Sequence, residues 1–492
     1  MKLNRFLIFA LVLLMIVPLM AACKKDDEQE PSDNNVPVVS GDENPNLAAI
    51  DGGGREFRLL TREAGVEFTY KYSEVLDDES GNEVNKKVVE RNQFIEEKYH
   101  VIITCTTTKN ATSTLRADQT AGDTTYDIAM PMLEQGFMSA VNGLLTEWDK
   151  IPFVDIEKSY WRKDVYDSTT IGGYQFMAIS DSNFSAYNTT PVVYFNKDMY
   201  AAREFENLYE MVKAKKWTQA QMQTMAAVVT VDGNSDGMLE EGAKTDDIYG
   251  LVSGPFVWQP FFYASGMTMV AKDESDLPSL SALTDNSERT FDIIEDITKL
   301  MNDNSKAGLT TKIGYSGKGF DKFAENGCLF YVECIYGQFQ LTNMANYGIV
   351  PIPLWEEGAE YTSYIHASHS SVSCIPRQVK DMNLSASIME DMAFVSKQLI
   401  IPVFYEDLIQ HRNVRDEESY EMLSIIFGNI IVDLAQVMKQ ASLKIDDHVR
   451  AFVGDNTPDV IASTFQDNKE AYKKIIDEIT IYYTTEGAKQ YQ

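Results

Sequence analysis

The segment Asp232-Gly233-Asn234-Ser235-Asp236-Gly237-Met238 carries the sharpest local chemistry in the chain. Oxygen ligands stand at its first, third and fifth positions, glycine at the sixth for the turn, and the Met238 carbonyl at the seventh, as in the first half of an EF-hand calcium loop. The bidentate acid that should follow at the twelfth position is missing, because Ala243 stands there. A structural calcium loop and an Asp/Gly turn that binds nothing both fit the segment. The same residues spell Gly-x-Ser-x-Gly around Ser235, the elbow on which hydrolases mount a nucleophile. That elbow needs a strand before the serine and a helix packed behind it, whereas a helical pattern runs into this turn and acids follow it. Asp232 and Asp236 would also oppose the oxyanion such a site stabilises. A lipid-anchored hydrolase is therefore kept only as the alternative function.

Other catalytic constellations are sparse. The histidines, His100, His366, His369, His411 and His448, form no His-Glu-x-x-His, and His366-x-x-His369 sits in a serine-rich stretch without nearby acids. No Gly-x-x-x-x-Gly-Lys phosphate cradle is present. The 74 acidic residues offer many carboxylate pairs, but sequence spacing does not reveal the spatial separation glycoside hydrolysis requires.

The elements that position these residues alternate between strand and helix. Glu56 to Thr61 reads as a first strand, Val88 to Tyr99 as an amphipathic helix, Val101 to Thr106 as a β-branched strand and Tyr126 to Met130 as a short buried strand. Strand, helix and strand at this spacing make a βαβ unit, hence an α/β class. Further helical patterns cover Leu208 to Lys215, Thr218 to Val228, Ser287 to Met301, Ser385 to Leu399, Ser419 to Met438 and Asp467 to Tyr482.

At the N-terminus Lys2 and Arg5 precede an apolar run from Phe6 to Leu19, closed by Met20-Ala21-Ala22-Cys23. The run is too short for a comfortable span and reads as a signal peptide, residues 1–22. The Cys23 context resembles the lipobox of bacterial lipoproteins, with Met20 in place of the usual Leu, which implies lipid on the Cys23 thiol and attachment to the outer face of the cell membrane. Residues 23–54 are too polar to bury a core and form a flexible tether with a reach on the order of 30 Å.

The net charge of −31 becomes −33 once Lys2 and Arg5 leave with the signal, which argues against nucleic acid or anionic lipid as partners. Cys105, Cys328, Cys334 and Cys374 permit two disulfides in three connectivities, with free buried thiols as the default.

Five segments, in order, carry a family resemblance. Tyr126-Asp127-Ile128-Ala129-Met130 followed by Gly143-Leu144-Leu145-Thr146-Glu147-Trp148, then Pro191 to Tyr200, Leu208 to Thr218, Phe323 to Phe330 and Tyr347 to Pro353, resemble the extracellular solute-binding proteins of ABC importers, the maltose-binding-protein-like group. The resemblance implies a two-lobed periplasmic-binding-protein-like fold (type II), its lobes joined by crossing hinge strands near Pro191 to Phe195 and Ser371 to Ile375. The N-lobe would comprise 55–190 plus 362–400, and the C-lobe 191–361 plus 401–492. It implies a monomer that captures a carbohydrate, an oligosaccharide, in the cleft and delivers it to permease subunits without catalysis or a cofactor for activity. A sensory protein on the same fold is the other alternative. Similar loops in some relatives end on an acid before Tyr-Gly-Leu, so Asp247 would complete a structural Ca2+ site with Asp232, Asn234, Asp236 and Met238.

Ligand contacts on such folds lie at the carboxyl ends of strands and between lobes. Sugars pair flat aromatic faces with carboxylates and amides. The expected contacts are Met132 and Glu134 after the Tyr126 strand, Asp181, Asn183 and Asn188 before the first crossing, Trp258 and Tyr263, Glu333 and Tyr336, Trp355, and His366.

Overall fold

A computed structural model describes residues 43–63, 74–75, 82–235, 239, 246–253, 258–285, 287–302, 318–341, 346–410 and 417–486. The signal segment, Cys23, most of the tether, Asp236, Met238 and His411 lie outside the described residues.

The first sheet grows from β1 (Arg55–Arg62), which buries Phe57 and Leu59 toward one face and Leu60 toward the other. Helix α1 (Glu83–Tyr99) begins where the Asn82 side chain accepts from the Asn85 amide at 2.7 Å, and ends at His100, whose φ of 47° turns the chain back. It returns the chain to β2 (Val101–Thr108), parallel to β1 with Ile103 opposite Phe57. Helix α2 (Ala111–Ala121), capped by Asn110 and closed by Gly122 at φ 75°, leads to β3 (Ile128–Met130) on the other side of β1, and α3 (Leu133–Val141) follows. The third strand is shorter than the Tyr126 to Met130 expectation. Asp127 instead turns back to bind the Arg55 guanidinium at 2.7 Å and the Arg58 amide at 2.9 Å.

The chain then leaves this body through α4 (Ser185–Asn188) and enters β4 (Pro191–Asn196), buried at every residue and therefore apolar without alternation. A second body forms from α5 (Gln219–Val229), β5 (Tyr249–Ser253), α6 (Trp258–Tyr263), a hairpin of β6 (Ala271–Lys272) with β7 (Pro278–Ser279), α7 (Ser287–Asn302), β8 (Cys328–Cys334) and β9 (Tyr347–Val350). Its mixed sheet has the order β5-β8-β4-β9, with β4 antiparallel to both neighbours and β5 parallel to β8.

After β10 (Ser363–Tyr364) the chain returns, and Ser371, Ser373 and Cys374 bridge to Met132, Ala178 and Ala129 of the first body. Helix α8 (Met382–Gln410) runs well past the expected Leu399 and continues through Pro402. Proline removes one helical hydrogen bond there, but Phe404 packs on Phe184 and Tyr187, so burial holds the next turn in place. The single helix expected from Ser419 to Met438 is broken. Helix α9 (Glu417–Gly428) stops, β11 (Ile430–Ile431) pairs with β10, and α10 (Leu434–Val437) starts anew with Asp433 as its cap. The Ile430 amide donates to Asp164 at 2.9 Å, a tertiary partner that helix periodicity does not encode. Helices α11 (Ile445–Asp455) and α12 (Ile461–Ile481) complete the described chain. One apolar core spans both bodies, and a second, on the far face of the first sheet, is covered by the first half of α8.

Candidate ligand site between the two sheets

The two passes between the bodies run side by side. Thr189 Oγ1 and Ser370 Oγ stand 2.8 Å apart, and Asn183 ties the returning strand by donating to Ser371 Oγ at 3.0 Å and accepting from Ser373 Oγ at 2.9 Å. Ser371 in turn donates to Glu74 at 2.7 Å. Asn183 thus spends its amide on the crossing itself. Asp181 is also used internally: it accepts from the Tyr187 hydroxyl at 2.9 Å, and burial pushes its carboxyl up to about 7.

Beyond the crossing, β8 ends in a turn pinned by Tyr194. The Tyr194 hydroxyl lies 2.9 and 2.8 Å from the Cys334 and Ile335 carbonyls and accepts from the Gln338 backbone N–H at 3.1 Å. The Ile335 amide donates to the Thr190 carbonyl at 3.0 Å, which seats this turn against α4. Gly337 sits close to Glu333, whose Cγ would stand 3.1 Å from a Cβ there. Against this frame Asn188 and Thr190 are 0% exposed and Gln338 is 1% exposed. Both amide atoms of Asn188, both of Gln338 and the Thr190 hydroxyl find no hydrogen-bond partner among the described residues. Such groups cost about 1–3 kcal/mol each when buried unsatisfied, so a concentration of them marks a place where something else completes the bonds. No solvent reaches these atoms.

Glu333, at the end of β8, accepts from Tyr336 at 3.1 Å and Tyr331 at 3.3 Å, and burial raises its carboxyl. Tyr364 connects this corner to the second body's helices. Its hydroxyl donates to Gln259 at 3.2 Å, and burial raises it well above the ordinary tyrosine range. Gln259 passes the chain to Asp446 at 2.6 Å, which also holds Lys439 at 3.0 Å and Arg450 at 3.4 Å. Tyr263 lies beneath, its ring 4.9 Å from that of Tyr364 and its hydroxyl 3.2 Å from Asp433. Trp258 packs on Phe262 and Tyr263 and is part of the core.

His366 and His369 bring their Nδ1 atoms to 3.0 Å, with the Ser368 hydroxyl 2.8 Å from His366. Burial first, then His369, Lys439 and Arg450, lower His366 to about 3, so the ring is neutral at physiological pH. Glu134, raised by burial, accepts from Gln440 at 2.8 Å, a bond from the first body to the segment after α10. Met132 is the cap residue of α3 and bridges to Ser371.

The structure therefore gathers Glu134, Asn188, Tyr263, Glu333, Tyr336 and His366 at the junction. Trp355 stands apart from them. The Leu354 amide donates to the Trp217 carbonyl and the Gln219 amide to Leu354, so the chain after β9 is drawn to the start of α5. Trp355 then lies on the outer face against α7, flanked by cavities of about 440 and 620 Å³ that it shares with Asp296 and Lys299. Thr190, Gln259, Gln338, Tyr364, Asp446 and Arg450 were missed by sequence reasoning. Gln338 was within reach of it, lying just past the carboxyl end of β8, whereas nothing local marks Asp446 in its helix.

At the acidic loop, Asp247 accepts from the Gly233 amide at 2.9 Å and Asp232 from the Ser235 amide at 2.7 Å. Among the described residues no three His, Cys, Asp or Glu side chains gather as a metal site. Ser235 follows a helix and a single bridge of Val231 to Ile248, not the strand of a nucleophile elbow. Cys105, Cys328, Cys334 and Cys374 are free thiols.

No family model matches the sequence, and no curated protein sequence matches it. Solved structures do match its fold. The chain is similar to a cyclo/maltodextrin-binding protein complexed with maltotetraose, at 12% identity and TM-score 0.57, covering 87% of this chain and 98% of that one. It is also similar to an ABC substrate-binding protein of Listeria monocytogenes in complex with cycloalternan, at 14% identity and TM-score 0.53, over 85% and 99% of the two chains. The GacH receptor of Streptomyces glaucescens, solved with acarbose, matches at 16% identity and TM-score 0.52 over 86% and 99%. The architecture is thus the two-lobed, maltose-binding-protein-like α/β fold. Among the described residues no helix is long and apolar enough to cross a membrane.

Proposed function

We propose that this chain is a substrate-binding lipoprotein that captures an oligosaccharide in the interlobe cleft and presents it to the permeases of an ABC importer. The observation that carries the reading is the set of unpartnered buried groups on Asn188, Thr190 and Gln338. Carboxamides and a hydroxyl both donate and accept, which is the chemistry a sugar hydroxyl needs. The neighbours' named ligands, maltotetraose, cycloalternan and acarbose, support the same class. Glu134, Glu333, Tyr336, Tyr364 and His366 would ring the ligand. Lipid on Cys23 would hold the protein at the outer membrane face. The lobes would divide as 55–190 plus 362–400 and 191–361 plus 401–492.

Ligand binding to the folded state alone must raise the unfolding midpoint. A thermal-shift screen over neutral oligosaccharides, peptides and polyamines tests the reading. A rise of several degrees with a saccharide that is recovered unaltered supports it, and a rise only with peptides or polyamines, or product formation, overturns it. Asp232, Asn234, Asp236, Met238 and Asp247 would hold a structural Ca2+. Calcium should then raise the midpoint of the wild type and leave Asp247→Asn unmoved.

A further inference from the structure

We propose that Tyr483, just past the end of α12, is a positioning residue for ligand binding, locking the shut lobes together from outside the cleft and so setting its affinity. This rests on the cleft being the ligand site.

Helix α12 has 21 residues and is thus about 31 Å long. It belongs to the second lobe, where Ile461, Phe465, Tyr472, Ile476 and Ile479 are buried and Phe465 stacks on Phe291 of α7 with ring centroids 5.7 Å apart. Its far end leaves that lobe. The Tyr483 ring is 0% exposed between Phe137 of α3, stacked at 5.3 Å, and Phe176, edge-on at 5.0 Å. The Tyr483 hydroxyl lies 3.3 Å from Gln175 and 3.4 Å from the Thr169 carbonyl. All four partners are in the first lobe.

A second contact reinforces the first. Gly172, in the first lobe, has φ +58°, and a Cβ there would stand 3.0 Å from Thr484 and 3.1 Å from Leu277. Its turn is wedged between the end of the chain and the β6-β7 hairpin, and its amide donates to Asp276 of that hairpin at 2.9 Å. The joint is separate from the two crossing segments.

Rotation about a hinge alters every interlobe contact outside the hinge, and packed rings part rather than stretch. Five buried residues hold α12 to the second lobe, whereas the ring of Tyr483 seats it in the first, so the joint should separate at Tyr483. In this form Asn188, Thr190 and Gln338 are sealed from solvent, so, with these groups as the cleft lining, the joint belongs to the shut form. Apparent affinity scales with the population of the binding-competent state, so losing the joint weakens binding without touching the ligand.

The test compares full-chain wild type with Tyr483→Ala, Tyr483→Phe and Gly172→Ala by small-angle scattering without ligand and by calorimetric titration with maltotetraose. Tyr483→Ala should enlarge the ligand-free particle and weaken binding about tenfold. Tyr483→Phe, which keeps the ring, should behave as wild type. Gly172→Ala, which pries Thr484 away, should shift both readouts as Tyr483→Ala does. If Tyr483→Ala fails to fold, the scattering of Gly172→Ala decides. A lower melting point with an unchanged scattering curve would overturn the proposal. Should the wild type bind no maltotetraose, that ligand assignment fails, while the scattering comparison still decides the joint.

Discussion

Replacing Gln338 by Met should make the empty protein more stable and the ligand-binding protein worse. The Gln338 side chain is buried with both Nε2 and Oε1 unpartnered among the described residues. Met has nearly the same length and volume, so packing changes little, while the desolvation penalty of two polar atoms disappears. At about 1–3 kcal/mol for an unsatisfied group, and allowing for partial relief by relaxation, the net gain is about 1–3 kcal/mol. In a protein of this size that corresponds to a rise of a few degrees in melting temperature. Calorimetry without ligand measures it. Titration with a bound saccharide should show affinity lower by about ten- to a hundredfold, because a ligand hydroxyl then loses its partner in a dry site. A Gln338→Met protein less stable than wild type would refute the reasoning, since it would mean the amide is already satisfied.

Three further outcomes follow from named groups. Asp181 is raised by burial from 3.8 to about 7 and Glu390 from 4.5 to about 7, so the folded state holds these protons more tightly than the unfolded chain. Stability should therefore fall as pH rises from about 4 to 7 through this contribution, and Asp181→Asn should flatten the profile in a pH series of urea melts, with an upper bound of roughly 4 kcal/mol at pH 8. Asp446→Ala takes the acceptor from the buried Gln259 amide and leaves Lys439 with Asp447 alone, so it should destabilise by about 1–3 kcal/mol in denaturant titrations. Trp355→Ala should change saccharide affinity less than twofold by calorimetry, because its ring faces the outer grooves beside α7.

Much of the architecture was legible because it is local. The βαβ unit around Val101 and the helix expected from Thr218 to Val228 follow from periodicity and β-branched residues acting within a few positions. The errors came where distant groups overrode local preference. Asp164 pulls Ile430 out of a helix, Phe184 and Tyr187 carry α8 past Pro402, and the Trp217 carbonyl draws Leu354 and Trp355 away from the cleft. Asn188 and Asn183, five residues apart, looked equivalent as hydrogen-bonding groups before a crossing. Only the tertiary structure separates them, because whether an amide is spent on Ser371 and Ser373 or left without a partner depends on which segments the fold brings beside it. Composition and pattern alone determined the α/β class and its opening strand-helix-strand unit. The chain from Tyr364 through Gln259 to Asp446, and the reach of Tyr483 across to Phe137, were decided by packing between segments far apart in sequence, where no spacing rule operates.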